Sequence, residues 1–143
     1  MKRCTVLLLA AALCVAASAS GCGNKEGAKL QCMNNLKMIG AACIKYQRQA
    51  GQTPNPHSLQ ELVDAKLLQA GEISCPAGGA YLYVPKTRGH ADSLVACDPG
   101  QVHGGGRCCL FGDGSVRFVP AASFTDLLAM PMNQDMAAFV KGE

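Results

Sequence analysis

Cys32, Leu36, Ile39, Cys43 and Tyr46 recur at intervals of four, three, four and three residues. That spacing lines one face of an α-helix, so Ala28 to Ala50 is expected to form a helix buried along a single stripe. Lys37, Lys45, Arg48 and Gln49 supply much of the polar remainder. Gly51 and Pro54 then stop the helix. A long helix with one apolar face must be covered by the rest of the chain, and the rest of the chain does not repeat its period at such length.

A short second helix is expected after Ser58, because Ser58-Leu59-Gln60-Glu61 reads as a capping box. Leu59, Leu62, Val63 and Leu67 form its apolar side, and Gly71 is the expected stop. From Ile73 onward the pattern turns to strands: Tyr81 to Val84, Ser93 to Cys97, Arg107 to Phe111 and Ser115 to Val119. Gly112-Asp113-Gly114 joins the last two, and Asp-Gly between β-formers signals a tight hairpin that needs positive φ. The segment Asp98 to Gly106 reads as a flexible Gly-rich loop. Ser123 and Asn133 are expected to cap two last short helices, separated by Pro131. One long helix followed by a small antiparallel sheet defines an α+β fold, with the sheet on the distal half of the helix.

The N-terminus reads as an export signal. Met1-Lys2-Arg3 is basic, and Cys4 to Ala19 is apolar. As a helix that run would span about 24 Å, short of the roughly 30 Å hydrocarbon core. A basic start, a short apolar stretch and small residues describe a secretory signal. Ala19-Ser20-Gly21-Cys22 is similar to a bacterial lipobox, which makes Cys22 the expected lipidated residue. The expected division is a lipoprotein signal over residues 1–21, a polar tether over 22–29 and one α+β domain over 30–143. The protein is therefore expected to be exported and anchored to a membrane of the cell envelope by its lipid.

Length and charge narrow the role. A chain of 143 residues holds one domain. With Lys2 and Arg3 set aside, the 13 basic residues fall to 11 against 10 acidic. Such a balance offers no electrostatic capture of nucleic acid, and none is expected as a partner.

Nine cysteines are many for this length. Cys4 and Cys14 belong to the signal, and Cys22 is the lipid site. Cys32, Cys43, Cys75, Cys97, Cys108 and Cys109 remain, an even number that suggests disulfides in an exported chain. Cys32 and Cys43 are excluded from pairing with each other, being about 16 Å apart on one helix. Cys108 and Cys109 are adjacent and point to opposite faces of a strand. No C-x-x-C occurs, which disfavours a thioredoxin-like redox site. No cofactor is expected. Two alternatives stay open: zinc through Cys75, Cys97, Cys108 and His103, and calcium through Asp98 and Asp113. The alternative function is accordingly an exported cysteine-rich metal-binding module.

Several segments carry a family resemblance. Cys32-Met33-Asn34-Asn35-Leu36-Lys37-Met38-Ile39-Gly40, with Tyr46, Gly51 and Pro54 after it, resembles the C-x-x-N-L-K-x-I-G stretch of prepilin-like proteins. Ser58 to Leu67 resembles their S-L-x-E-L helix, and Cys75-Pro76 their C-P turn. His103 precedes Asp113-Gly114 with the spacing of the H-x(9)-D-G signature of prepilin-type processing-associated proteins. The resemblance covers about Leu30 to Val119. It implies a pilin-like fold, with structural roles for Asn35, Leu36, Lys37, His103, Asp113 and Gly114. It further implies a non-enzymatic role in a type II secretion or type IV pilus-like assembly, with other pseudopilins or secretion components as partners. Family members open with a basic leader, then Gly-Phe and a long apolar helix bearing Glu. A lipobox-like ending stands there in this chain, so the resemblance implies a pseudopilin-like head on a different anchor.

No catalytic constellation is visible. No G-x-S-x-G surrounds Ser115, and Gly104-Gly105-Gly106 lacks the Lys-Ser/Thr of a phosphate loop. His57 and His90 are isolated and expected to face solvent. His103 has two readings: a bond or ligand near Asp113 that fixes the hairpin, and, favoured here, an ordered loop histidine with a structural role only.

Overall fold

The computed structural model describes residues 23–49, 51, 55–85 and 89–142. The signal over residues 1–21, the lipidated Cys22 and the stop at Pro54 lie outside the described residues.

Helix α1 runs Gly23–Gln49 and includes the polar stretch expected to act as a tether. Glu26 in its first turn and Arg48 in its last complement the helix dipole. Cys32, Leu36, Ile39, Ala42 and Cys43 are buried, and Lys37, Lys45 and Arg48 are exposed, so the apolar stripe is the buried face. Gly40 sits where the helix approaches the sheet most tightly: a Cβ there would lie 3.1 Å from Leu110 Cδ1.

Helix α2 spans Leu59–Asp64, with Ser58 as its N-cap. Ser58 Oγ accepts from the Glu61 amide at 3.4 Å, but the Glu61 carboxylate reaches one residue further back, accepting from the His57 amide at 3.2 Å. The same carboxylate accepts from the Tyr46 hydroxyl at 3.1 Å, which ties α2 to α1. The helix ends before the expected Gly71: Lys66 takes φ 58°, and Gly71 lies in a separate 3-10 turn, Ala70–Ile73.

The strands are β1 (Leu82–Tyr83), β2 (Leu94–Cys97), β3 (Gly106–Phe111) and β4 (Val116–Pro120). They form an antiparallel sheet in sequence order, β1-β2-β3-β4. The expected hairpin closes β3 to β4, with the Phe111 amide donating to Ser115 O and the Ser115 amide to Asp113 Oδ1, both at 2.9 Å. All six residues of β3 are buried, because the sheet is covered on both faces. Cys108 and Leu110 face α1, whereas Cys109 and Phe111 face the opposite layer. A register shift between Leu94 and Ala96 breaks the alternation of β2. Val95 and Ala96 therefore join the α1 side, while Leu94 and Cys97 join the far side.

Helices α3 (Ala121–Ala129) and α4 (Gln134–Lys141) form that far layer through Phe124 and Met136. Pro120, not Ser123, is the N-cap of α3. Asn133 stands at the N-cap of α4 but makes no capping bond. It is 0% exposed, and its side chain instead accepts from the Leu94 amide at 2.8 Å and donates to Asp92 O and Leu127 O at 2.9 Å. The architecture is α+β: helix, four-stranded antiparallel sheet, two short helices. Among the described residues no helix is long and apolar enough to cross a membrane.

Candidate metal centre

The convergence of chemistry in this molecule is at the Gly106 end of β3. Asp98 follows β2 directly, and its backbone continues the sheet by donating to Cys108 O at 3.1 Å. Its side chain is wholly buried and accepts from the Cys108 amide at 2.9 Å through Oδ2. Cys32 arrives from α1, with Sγ 3.8 Å from the same oxygen. The Tyr81 hydroxyl donates to Cys32 O at 3.4 Å and fixes that turn of the helix against β1.

Cys75 arrives on a tight turn. Its amide donates to Gly79 O and its carbonyl accepts from the Gly78 amide, each at 2.9 Å. Gly79 has φ 84°, and a Cβ there would lie 2.6 Å from Pro99 Cγ. Only glycine lets this turn press against the Asp98-Pro99 segment. Asn35 supports the turn from α1 by donating from Nδ2 to Ser74 O at 3.4 Å.

His103 comes from the loop between β2 and β3. The Gly104 amide donates to Gln101 O at 3.2 Å, and Gly104 and Gly105 take φ 75° and 82°. The stretch expected to be merely flexible is thus a defined turn that aims the imidazole inward. His103 Nε2 lies 3.2 Å from Cys75 Sγ and 3.4 Å from Asp98 Oδ2, and its side chain is 1% exposed. The ligand atoms of Cys32, Cys75, Asp98 and His103 all lie within 4.8 Å of one another.

Burial shapes the electrostatics. It pushes the Asp98 carboxyl up to about 6, against the pull of the Cys108 groups and Arg107. It pushes the Cys75 thiol up to about 11. The adjoining Cys108 thiol, and then burial, raise the Cys32 thiol. Burial and then Lys29 lower His103. Every shift disfavours the charged form, as expected for groups removed from water. A divalent cation among them would reverse that balance. Asp98 Oδ1 is buried and has no hydrogen-bond partner among the described residues.

The expected sets are corrected by this geometry. His103 does not approach Asp113, which sits in the exposed turn at the other end of β3. Asp98 and Asp113 are therefore not a shared calcium site. In the expected zinc set, Cys97 lies on the far face, its thiol 3.8 Å from Met136 Sδ, because the β2 register shift turns it away. Cys108 lies on the near face beside Cys32, but Cys32 and Asp98 complete the compact group. Cys43 packs beside the Tyr83 hydroxyl at 4.0 Å. Cys97 and Cys109 are cross-strand partners. All six cysteines named as disulfide candidates are buried, and no disulfide joins any two of them among the described residues.

Of the motif residues, Asn35 and Leu36 are buried, Lys37 is exposed, and Asp113-Gly114 forms the turn. His57 and His90 are exposed. Sequence reasoning placed Cys32 in the helix core and Asp98 in a loop, and it did not join them. A signal was present: three of the resembling segments each deliver one of the converging residues, Cys32, Cys75 and His103. Comparison with known proteins gives no match to a family model, a curated protein or a solved structure.

Proposed function

We propose that this chain is a non-enzymatic, pseudopilin-like lipoprotein of the cell envelope, with a structural or docking role beside a type II secretion or type IV pilus-like system. The observation that carries the reading is the laying of one long N-terminal helix along a four-stranded antiparallel sheet that ends in the Asp113-Gly114 hairpin. The motif segments that resemble prepilin-like proteins occupy the helix, the turn and the hairpin of that arrangement. The inward-facing cluster supports a structural role, because Asp98 and His103 present no exposed side chain to a substrate. The lipobox-like Ala19-Ser20-Gly21-Cys22 supports a lipid anchor, and the acyl chains on such a cysteine suffice for stable attachment.

The test is mass spectrometry of the N-terminus of protein recovered from the membrane fraction, beside a Cys22→Ala variant. The reading predicts a chain that begins at a lipidated Cys22 and a variant that loses both the lipid and the membrane association. A wild-type chain found only in the cytoplasm with Met1 intact would overturn it.

A further inference from the structure

We propose that Cys32, Cys75, Asp98 and His103 bind one zinc ion, which staples helix α1 to the Cys75 turn and to the loop between β2 and β3. The inference does not depend on the pseudopilin-like reading, since it needs only the three segments that meet at Asp98.

Geometry comes first. Zinc in a tetrahedral site stands about 2.3 Å from sulfur and about 2.0–2.1 Å from nitrogen or oxygen, which separates the ligand atoms by roughly 3.3–3.8 Å. The separations here are 3.2 Å for Cys75–His103, 3.4 Å for His103–Asp98 and 3.8 Å for Cys32–Asp98. The other three pairs lie within 4.8 Å, so side-chain shifts of up to about 1 Å would bring the four atoms around one ion. Side chains that merely filled a core would have no reason to present four donors at these separations.

The second observation is the orphaned oxygen. Asp98 Oδ1 is buried without a hydrogen-bond partner among the described residues, a condition that native interiors seldom tolerate. Cys32, His103 and the Cys108 amide all lie against the other oxygen, Oδ2, so a cation held there pairs with the carboxylate as a whole and offsets the charge that Oδ1 leaves unpartnered. The Cys108 amide, 2.9 Å from Oδ2, sets the orientation of the group, as an outer partner does in a metal site.

The donor chemistry selects the metal. Two thiols, one imidazole and one carboxylate suit zinc; calcium and magnesium require a shell of oxygens. Four protein ligands fill a tetrahedral shell and describe a structural site, with no open position for a reacting water. Binding would release the protons held by Cys32 and Cys75 and leave both as thiolates. Access is short: His103 also borders a surface groove lined by Lys25, Ala28, Pro76, Ala77 and Val102. The ion would join residues 32, 75, 98 and 103, which come together only in the folded chain, so its binding energy would be folding energy.

The test uses the full chain, purified with its thiols reduced and supplied with zinc, then passed over a mild chelating resin. Metal content, the spectrum of the cobalt(II)-substituted protein and competition against a chromophoric chelator are measured. One zinc per chain is expected, with a thiolate-to-cobalt charge-transfer band and the intense visible bands of tetrahedral cobalt. Cys75→Ser and His103→Ala are expected to bind at least about tenfold more weakly, while His57→Ala, outside the cluster, binds as the wild type does. Because a site variant that failed to fold would also lose metal, the wild-type cobalt spectrum decides by itself whether thiolates are ligands. Failure to retain zinc, a weak octahedral cobalt spectrum, or equal binding by folded His103→Ala and wild type would overturn the proposal.

Discussion

Gly79→Ala perturbs the contact that brings Cys75 to the cluster. Two costs follow from the geometry. At φ 84° an alanine is held in the left-handed region, at about 1–2 kcal/mol. Its methyl would also lie 2.6 Å from Pro99 Cγ, a stiff ring atom on a half-buried residue, and such overpacking costs about 1–3 kcal/mol. The restricted unfolded chain returns about 0.4–1 kcal/mol, which leaves a net loss of about 1–5 kcal/mol. Pro99→Ala separates the two costs, because it deletes Cγ and leaves only the Cβ contact at 3.3 Å, which a shift of a few tenths of an ångström relieves. In that background Gly79→Ala is expected to cost only the backbone part, with an interaction energy of about 1–3 kcal/mol. Urea unfolding of the four proteins measures this as a shift in midpoint at constant slope. An identical cost in both backgrounds would refute the close approach of the turn to Pro99. Zinc affinity should fall in the single variant and recover in the double, since the same push carries Cys75 off the site.

Three further outcomes follow from the same structure. Asn133→Ala strips the partner from the buried Leu94 amide and from two carbonyls, and a loss of about 2–4 kcal/mol in urea unfolding is expected; a change below about 1 kcal/mol would mean that the α4 layer is held otherwise. Leu36→Ala, at a fully buried position, should cost about 2–5 kcal/mol. The adjacent Lys37→Ala should stay within about 0.5 kcal/mol, and equal losses at the two positions would deny the helical stripe. Free zinc at about one hundred times its dissociation constant should add about 2.7 kcal/mol to stability, and a chelator should remove it. Cys75→Ser should abolish that dependence, and a wild type indifferent to zinc and chelator alike would contradict the staple.

The parts of the fold legible in the sequence are those decided within a few residues. The spacing of Cys32, Leu36, Ile39 and Cys43 marks the buried face of α1, and Asp113-Gly114 marks the hairpin because few residues tolerate its backbone. Where tertiary contacts decide, the reading departs. Asn133 has the chemistry of a helix cap, yet its side chain satisfies groups on β2 and α3 instead. Lys66 ends α2 in a left-handed conformation without a glycine to announce it. The site shows the same division. His103 and the cysteines are evident donors, but their grouping depends on which face of β2 each residue takes. The register shift at Val95 sets that face, and it turns Cys97 away while Asp98 enters the cluster. Strand alternation alone carries no information about such a shift.

X-ray absorption at the zinc edge, on the full chain loaded with one equivalent of zinc, tests the central claim most directly. The staple predicts a mixed first shell: two sulfurs at about 2.3 Å from Cys32 and Cys75, and two lighter atoms at about 2.0–2.1 Å from His103 and Asp98. His103→Ala should reduce the outer imidazole scattering and leave the sulfur shell in place. A first shell made only of nitrogen and oxygen would contradict the claim, because it would put the ion outside the cluster that Cys32 and Cys75 build.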